Sequence, residues 1–265
     1  MENQAPVSTA PIVESADRVL RTALDIGENL IKNGAAVHRA EDTIERVCRA
    51  FGAIHVEVFC IPSLVIASVR MRTGEYSSQT RRIYSNSNNF FRIDRLNAIS
   101  RKLCAGEMTI DEAQEDIRAT NRAIPYPNWL QFPGAILSCS GFAIFFGGTV
   151  MDAVSAGLIG LLIAAIKMLL PRRVNALSYT LIASLIAGVG SILLWHIGIA
   201  EHYDMVMIGT IMLLIPGLAF GTSIRDLLCG DTLAGLLQFI QSILMAVIIA
   251  FGYSIALYLL RSLLG

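Results

Sequence analysis

The stretch 153-AVSAGLIGLLIAAIKMLL-170 carries one charged residue, Lys167, and 176-ALSYTLIASLIAGVGSILLWHIGI-199 carries none. A bilayer core of about 30 Å needs about 20 apolar residues at 1.5 Å of helical rise each. Both stretches are long enough to cross a membrane. Working outward from them, three more segments qualify: Trp129–Gly147, Met205–Phe220 and Leu233–Leu260. The last is long enough to tilt or to include an interfacial piece. Five transmembrane helices are therefore expected in the second half of the chain.

Composition agrees. Of 265 residues, 54% are hydrophobic and only 16% charged, with a mean hydropathy of +0.57. Soluble proteins average about a quarter charged. The charge is also unevenly placed. Met1–Asn128 holds 16 Lys/Arg and 16 Asp/Glu, whereas Trp129–Gly265 holds 5 of each. An ordinary charged segment thus precedes a membrane segment. This excludes a fully soluble enzyme, a disordered chain and a secreted disulfide scaffold. A net charge of zero argues against a nucleic-acid partner. The five cysteines include no CxxC spacing, so neither a zinc site nor a disulfide framework is expected. No Walker loop, GxSxG or HExxH occurs, and no cofactor or metal is expected. The first residues lack a basic segment followed by an apolar run, so no signal peptide is expected.

The predicted fold class is a soluble α/β N-terminal domain followed by an all-α membrane domain of about five transmembrane helices. The expected boundaries are a disordered tail at 1–14, an α/β domain at 15–124 and the membrane domain at 125–265. Helical periodicity runs from Ser15 through Val19, Leu20, Ala23, Leu24, Leu30 and Ile31, and Lys32-Asn33-Gly34 stops it. A second helix carries Val37, Ala40, Ile44, Val47 and Phe51. Ile54, Val56 and Val58 then alternate with His55, Glu57 and Phe59 as a strand. Leu64–Met71 reads as a second strand and Gln79–Tyr84 as a third. Helices follow near Phe90–Cys104 and over Ile110–Asn121, the latter opened by a Thr109-x-x-Glu112 capping box. Ile124–Asn128, rich in proline, is a stiff linker.

Charges between spans predict the orientation. With the first domain cytoplasmic, Lys167, Arg172 and Arg173 lie in a cytoplasmic loop. Glu201, His202 and Asp204 then lie outside, in a loop without Lys or Arg. The expected location is the plasma (inner) membrane, multi-pass, with the C-terminus outside.

Candidate chemistry concentrates in Leu214–Gly235. Pro216 removes a backbone donor and disfavours helix at Ile215, and Gly217 loosens the chain further. Thr222, Arg225, Asp226 and Asp231 follow. Two readings stand here: a broken membrane helix that holds a small solute, or a cytoplasmic turn with solvated charges. Asp152 also has two readings: an intramembrane carboxylate, or a helix cap in a short outer loop. Small residues such as Ser140, Ala156, Gly160, Ser184 and Gly188 are expected to pack helices closely. His38, Arg39, Glu41 and Asp42 cluster at a helix start. His38 and Glu41 share a face that suits a metal, but a solvated capping cluster is the favoured reading.

Several motifs resemble the threonine/serine exporter family. Asn33-Gly34-Ala-Ala-Val-His38-Arg39-Ala-Glu41-Asp42-Thr43 is similar to its soluble-domain motif. Pro125-x-Pro-x-Trp129, Phe146-Gly-Gly-x-x-x-Asp152, and Pro216-Gly217 followed by Asp226-Leu and Gly230 also match. The resemblance implies a plasma-membrane exporter of small metabolites, threonine and serine or succinate-like dicarboxylates. It further implies the larger subunit of a two-component type, working with a small membrane subunit of the same family. A higher oligomer is compatible with this. Coupling to the proton gradient is expected. The alternatives are a membrane-anchored hydrolase-like enzyme and a regulatory subunit of a transporter.

Overall fold

A computed structural model of the chain describes residues 14–84, 87–124, 126–169 and 175–260. The predicted tail up to Val13, the first linker proline, Arg172 and Arg173 lie outside the described residues. The chain forms two compact units. One comprises residues up to Ala123 together with Thr222–Leu237, and the other comprises Ile124–Gly221 and the residues from Gln238 onward.

The first unit is a three-stranded sheet with helices packed on it. Helix α1 (Ala16–Lys32) starts at Ser15, whose hydroxyl accepts from the Arg18 N–H. Its apolar stripe, Val19, Leu20, Ala23, Leu24, Leu30 and Ile31, is buried as the periodicity predicts. It ends at Gly34, where φ is +90° and the Ala35 N–H closes back on the Leu30 carbonyl at 3.0 Å. A Cβ at Gly34 would also meet Asn88 Oδ1 at 2.6 Å, so both conformation and space demand glycine. Helix α2 (Val37–Ala50) follows, then strands β1 (Ala53–Ile61), β2 (Leu64–Met71) and β3 (Tyr76–Arg82) in an antiparallel meander.

Two strand details differ from expectation. Strand β3 begins at Tyr76 rather than Gln79, because the turn at Gly74 (φ +90°) is tight enough to pair Tyr76 directly with Arg70. In β1 a register shift between Ala53 and His55 turns Ala53 inward and leaves Ile54 exposed. Strand β2 alternates cleanly, burying Val65, Ala67, Val69 and Met71. Helices α3 (Phe90–Ala105) and α4 (Ile110–Arg122) complete the unit. The Thr109–Glu112 box is made in both directions.

The second unit is helical. A short 3-10 turn, Asn128–Leu130, leads into α5 (Gln131–Phe145), α6 (Val150–Leu169), α7 (Ala176–His196) and α8 (Tyr203–Leu214). Helix α9 (Gly217–Leu228) and helix α10 (Thr232–Leu259) each begin in one unit and end in the other. The helices meet through small residues. A Cβ on Gly160 would meet the Ala135 carbonyl at 2.8 Å, and one on Gly188 would meet Ala256 Cβ at 2.7 Å. The buried Thr210 and Tyr253 hydroxyls pair at 2.8 Å. Large apolar side chains such as Leu158, Leu162, Leu193, Leu244 and Phe251 face outward, as on helices solvated by lipid rather than water.

Five spans were expected. Among the described residues, α6, α7 and α10 are long and apolar enough to cross a membrane. Helices α8 and α9 make a fourth if counted together, with a 54° bend between them. The bend falls where Pro216 forces Ile215 out of helix, to φ −63° and ψ 129°. The predicted Met205–Phe220 segment is therefore interrupted, and its second half continues to Leu228. Helix α5 is apolar but has only 15 residues, about 22 Å at helical rise.

Close packing yields a direct test. Gly209 in α8 leaves no room, since a Cβ would meet the Cys139 carbonyl at 2.7 Å, whereas nothing lies within 4 Å of one at Gly141. Gly209→Ala should cost about 1–3 kcal/mol. Gly141→Ala should be neutral or stabilise by up to about 1 kcal/mol. Thermal midpoints of the two variants in detergent check this, and equal midpoints would contradict the packing.

Candidate functional site

The first unit gathers polar groups that are far apart in sequence. Helix α9 carries Asp226 in its last turn. The chain then turns through Cys229 and Gly230 (φ +97°), and the Asp231 N–H returns to the Asp226 carbonyl at 3.0 Å. On α10, Gly235 lets the two helices close up, because a Cβ there would meet the Leu227 nitrogen and the Ser223 carbonyl, each at 2.8 Å. This turn belongs to the first unit, and Ala234 lies in its core.

Asp226 has no solvent exposure. Helix α2 begins at Ala36 without a side-chain cap of its own, and Asp226 serves its open end. Its Oδ2 accepts from the Val37 N–H at 3.4 Å, and its Oδ1 lies 3.3 Å from His38 Nδ1. A carboxylate against a helix N-terminus is favoured by the orphan N–H groups and the helix dipole. Asp231 is half-buried. Burial, with Asp226 beside it, pushes its carboxyl above the usual carboxylate range. Glu41 accepts from the Cys60 N–H at 2.6 Å, and burial, reinforced by Asp231 and Asp226, raises its carboxyl too. Helix spacing placed His38 and Glu41 on one face, and the fold adds Asp226 and Asp231 to them.

The other candidates lie apart from this cluster. Asp42 is exposed and pairs with Arg46 at 2.6 Å. Arg39 is exposed and lines a cavity of about 190 Å³ with Arg46, Arg101 and the buried Asn97. Arg225 is exposed and Thr222 half-buried. Pro216 and Gly217 mark the α8–α9 bend, and Gly34 shapes the α1–α2 turn.

Asp152 belongs to the second unit and is fully buried in the first turn of α6. It forms a capping box with Thr149. The Thr149 N–H donates to its Oδ2 at 2.9 Å, and its own N–H donates to the Thr149 hydroxyl at 3.3 Å. The cap reading of Asp152 named it alone; the Thr149-x-x-Asp152 spacing is the local signal that could have found this half. The other half has no such signal. The Glu201 and His202 N–H groups both donate to Oδ1 at 2.8 Å, and His202 Nδ1 donates to Oδ2 at 3.0 Å. One carboxylate thus ties the α6 start to the loop before α8.

The hydrogen bond to Asp152, aided by its charge, raises the His202 imidazole above its ordinary 6.5, and burial opposes this only in part. A raised folded-state value means that the contribution is complete below about 6.5 and is lost as pH rises through the higher value. The thermal midpoint should fall as pH rises from about 6.5 through that raised value, and His202→Gln should flatten the slope. Asp152→Ala leaves several N–H groups without their acceptor and should cost about 1–3 kcal/mol. A pH profile unchanged by His202→Gln would refute the pairing.

The family model described as "Putative threonine/serine exporter" matches residues 21–260. A relative from Mycobacterium tuberculosis, described as "Probable threonine/serine exporter", is 23% identical over 250 residues, which cover 91% of this chain and 46% of the relative. The chain therefore spans about half the length of that curated relative. No solved structure matches. The match runs through the soluble-domain motif, the apolar helices and the broken α8–α9 segment alike, and the chain belongs to the threonine/serine exporter family, a family of membrane transporters rather than enzymes.

Proposed function

We propose that this chain is one component of a plasma-membrane secondary exporter of small polar metabolites, completed by a small membrane subunit of the same family. The observation that carries the reading is the family match across residues 21–260. Three apolar helices and the bent α8–α9 pair support a membrane location. The matched relative, about twice as long as the aligned segment, supports a second half supplied by a partner. Threonine and serine come first as substrates, because they are named for the family and the relative. Succinate-like dicarboxylates are the second class, on the motif resemblance alone. The first unit faces the cytoplasm in this reading, and the C-terminus lies outside.

The proposed solute residues are Pro216 and Gly217 at the break and, later in the sequence, Thr222, Arg225, Asp226 and Asp231. Broken helices in transporters expose backbone groups that a solute can use. In this reading export is coupled to the proton gradient, and this chain carries no Walker loop of its own.

Efflux of labelled threonine, serine and succinate from preloaded cells tests the reading. The strains express this chain, a small membrane subunit of the family, or both. Efflux is expected only with both, and a protonophore should abolish it. Asp226→Asn should reduce it at least about 10-fold, the loss expected when one transport-critical interaction of about 1.4 kcal/mol is removed, while the protein stays in the membrane. Full efflux from the small protein alone would make this chain regulatory. No efflux of any solute would remove the substrate assignment.

A further inference from the structure

His38 at the start of α2, Asp226 at the end of α9 and Asp231 before α10 place one donor atom each within 4.8 Å of one another. One pair, His38 Nδ1 and Asp226 Oδ1, is 3.3 Å apart. That is the ligand–ligand edge around a four-coordinate ion with bonds of about 2.0–2.1 Å.

Charge points the same way. Asp226 is fully buried, Asp231 and Asp226 both act electrostatically on Glu41, and Asp226 acts on Asp231. His38 is the only basic group among those that shift Glu41 and Asp231. Buried carboxylates without a compensating cation are costly. Asp231 Oδ2 is buried with no hydrogen-bond partner among the described residues. Capping of α2 accounts for one oxygen of Asp226. His38 pairs with the other, which leaves the neighbouring Asp231, whose Oδ2 has no partner among the described residues, unexplained beside them. The Val37 N–H on Oδ2 orients the carboxylate so that Oδ1 faces the imidazole, as outer-shell donors do around metal ligands. His38 is 37% exposed, which leaves an ion an approach from solvent.

We infer that His38, Asp226 and Asp231 form a divalent-cation site that ties the α9–α10 turn to the start of α2. One imidazole with two carboxylates suits Zn²⁺ or Mn²⁺ better than Mg²⁺, which takes oxygen ligands and keeps its waters. The inference goes beyond the exporter reading and does not depend on it.

The test uses the purified full chain in detergent, stripped with a chelator and titrated separately with Zn²⁺, Mn²⁺ and Mg²⁺ by calorimetry. About one equivalent of Zn²⁺ or Mn²⁺ should bind per chain, and the thermal midpoint should rise with the ion. The double variant His38→Gln/Asp231→Asn replaces no fully buried group. It should keep the wild-type circular dichroism and elution volume and lose affinity by about 100-fold or more, since even outer-shell changes cost 10–100-fold. No binding to the wild-type chain, equal binding by the folded double variant, or Mg²⁺ binding as tightly as the other two would each overturn the site. No solute is present, so the result is independent of efflux.

Discussion

A carboxylate removed entirely from water must find its donors inside the fold, and Asp226 meets this constraint with groups 188 and 189 residues away. The consequences spread outward. The α9–α10 turn must sit in the first unit, so Gly230 takes a left-handed conformation and Gly235 lets two helix backbones approach. The α2 start must be presented without a local cap, which in turn depends on the sharp Gly34 turn after α1. The family motif spanning Asn33–Thr43 is thus a piece of geometry. It turns the chain, opens a helix end and places His38 and Glu41 on one face.

The helical unit follows a parallel logic. Apolar residues offer little driving force for helix association where the surroundings are equally apolar, so contact relies on close packing and on a few satisfied polar pairs. Gly160, Gly188 and Gly209 provide the first, and Thr210 with Tyr253 provides the second. Asp152 does more than close its own helix. By accepting from Thr149, Glu201 and His202 it fixes the loop between α7 and α8. The two fully buried aspartates have the same chemistry, each satisfying open backbone N–H groups at a helix start.

The order of elements was legible because each element is announced by neighbours in the chain. Periodicity marked α1 and α2, the Thr109–Glu112 spacing marked the start of α4, and Pro216 marked the bend between α8 and α9. The misjudged details lie where local pattern competes with pairing. The β1 irregularity at Ala53 and the early start of β3 come from strand register, which a single segment does not carry. Apolar length alone also overstated α5, whose flanking residues form a 3-10 turn and a glycine-bearing loop instead of further helix.

By itself, then, the sequence determined the charged first half, the apolar second half, the Thr109–Glu112 cap and the break at Pro216. All of these depend on interactions within a few residues, where spacing is written directly in the chain. Only the tertiary structure decided that Asp226 is buried rather than solvated, that it caps a helix nearly two hundred residues away, and that Asp152 holds a distant loop. Those outcomes rest on which side chains packing brings within about 3 Å of each other, the range of a hydrogen bond. No periodicity, cap or spacing in one segment encodes a partner in another.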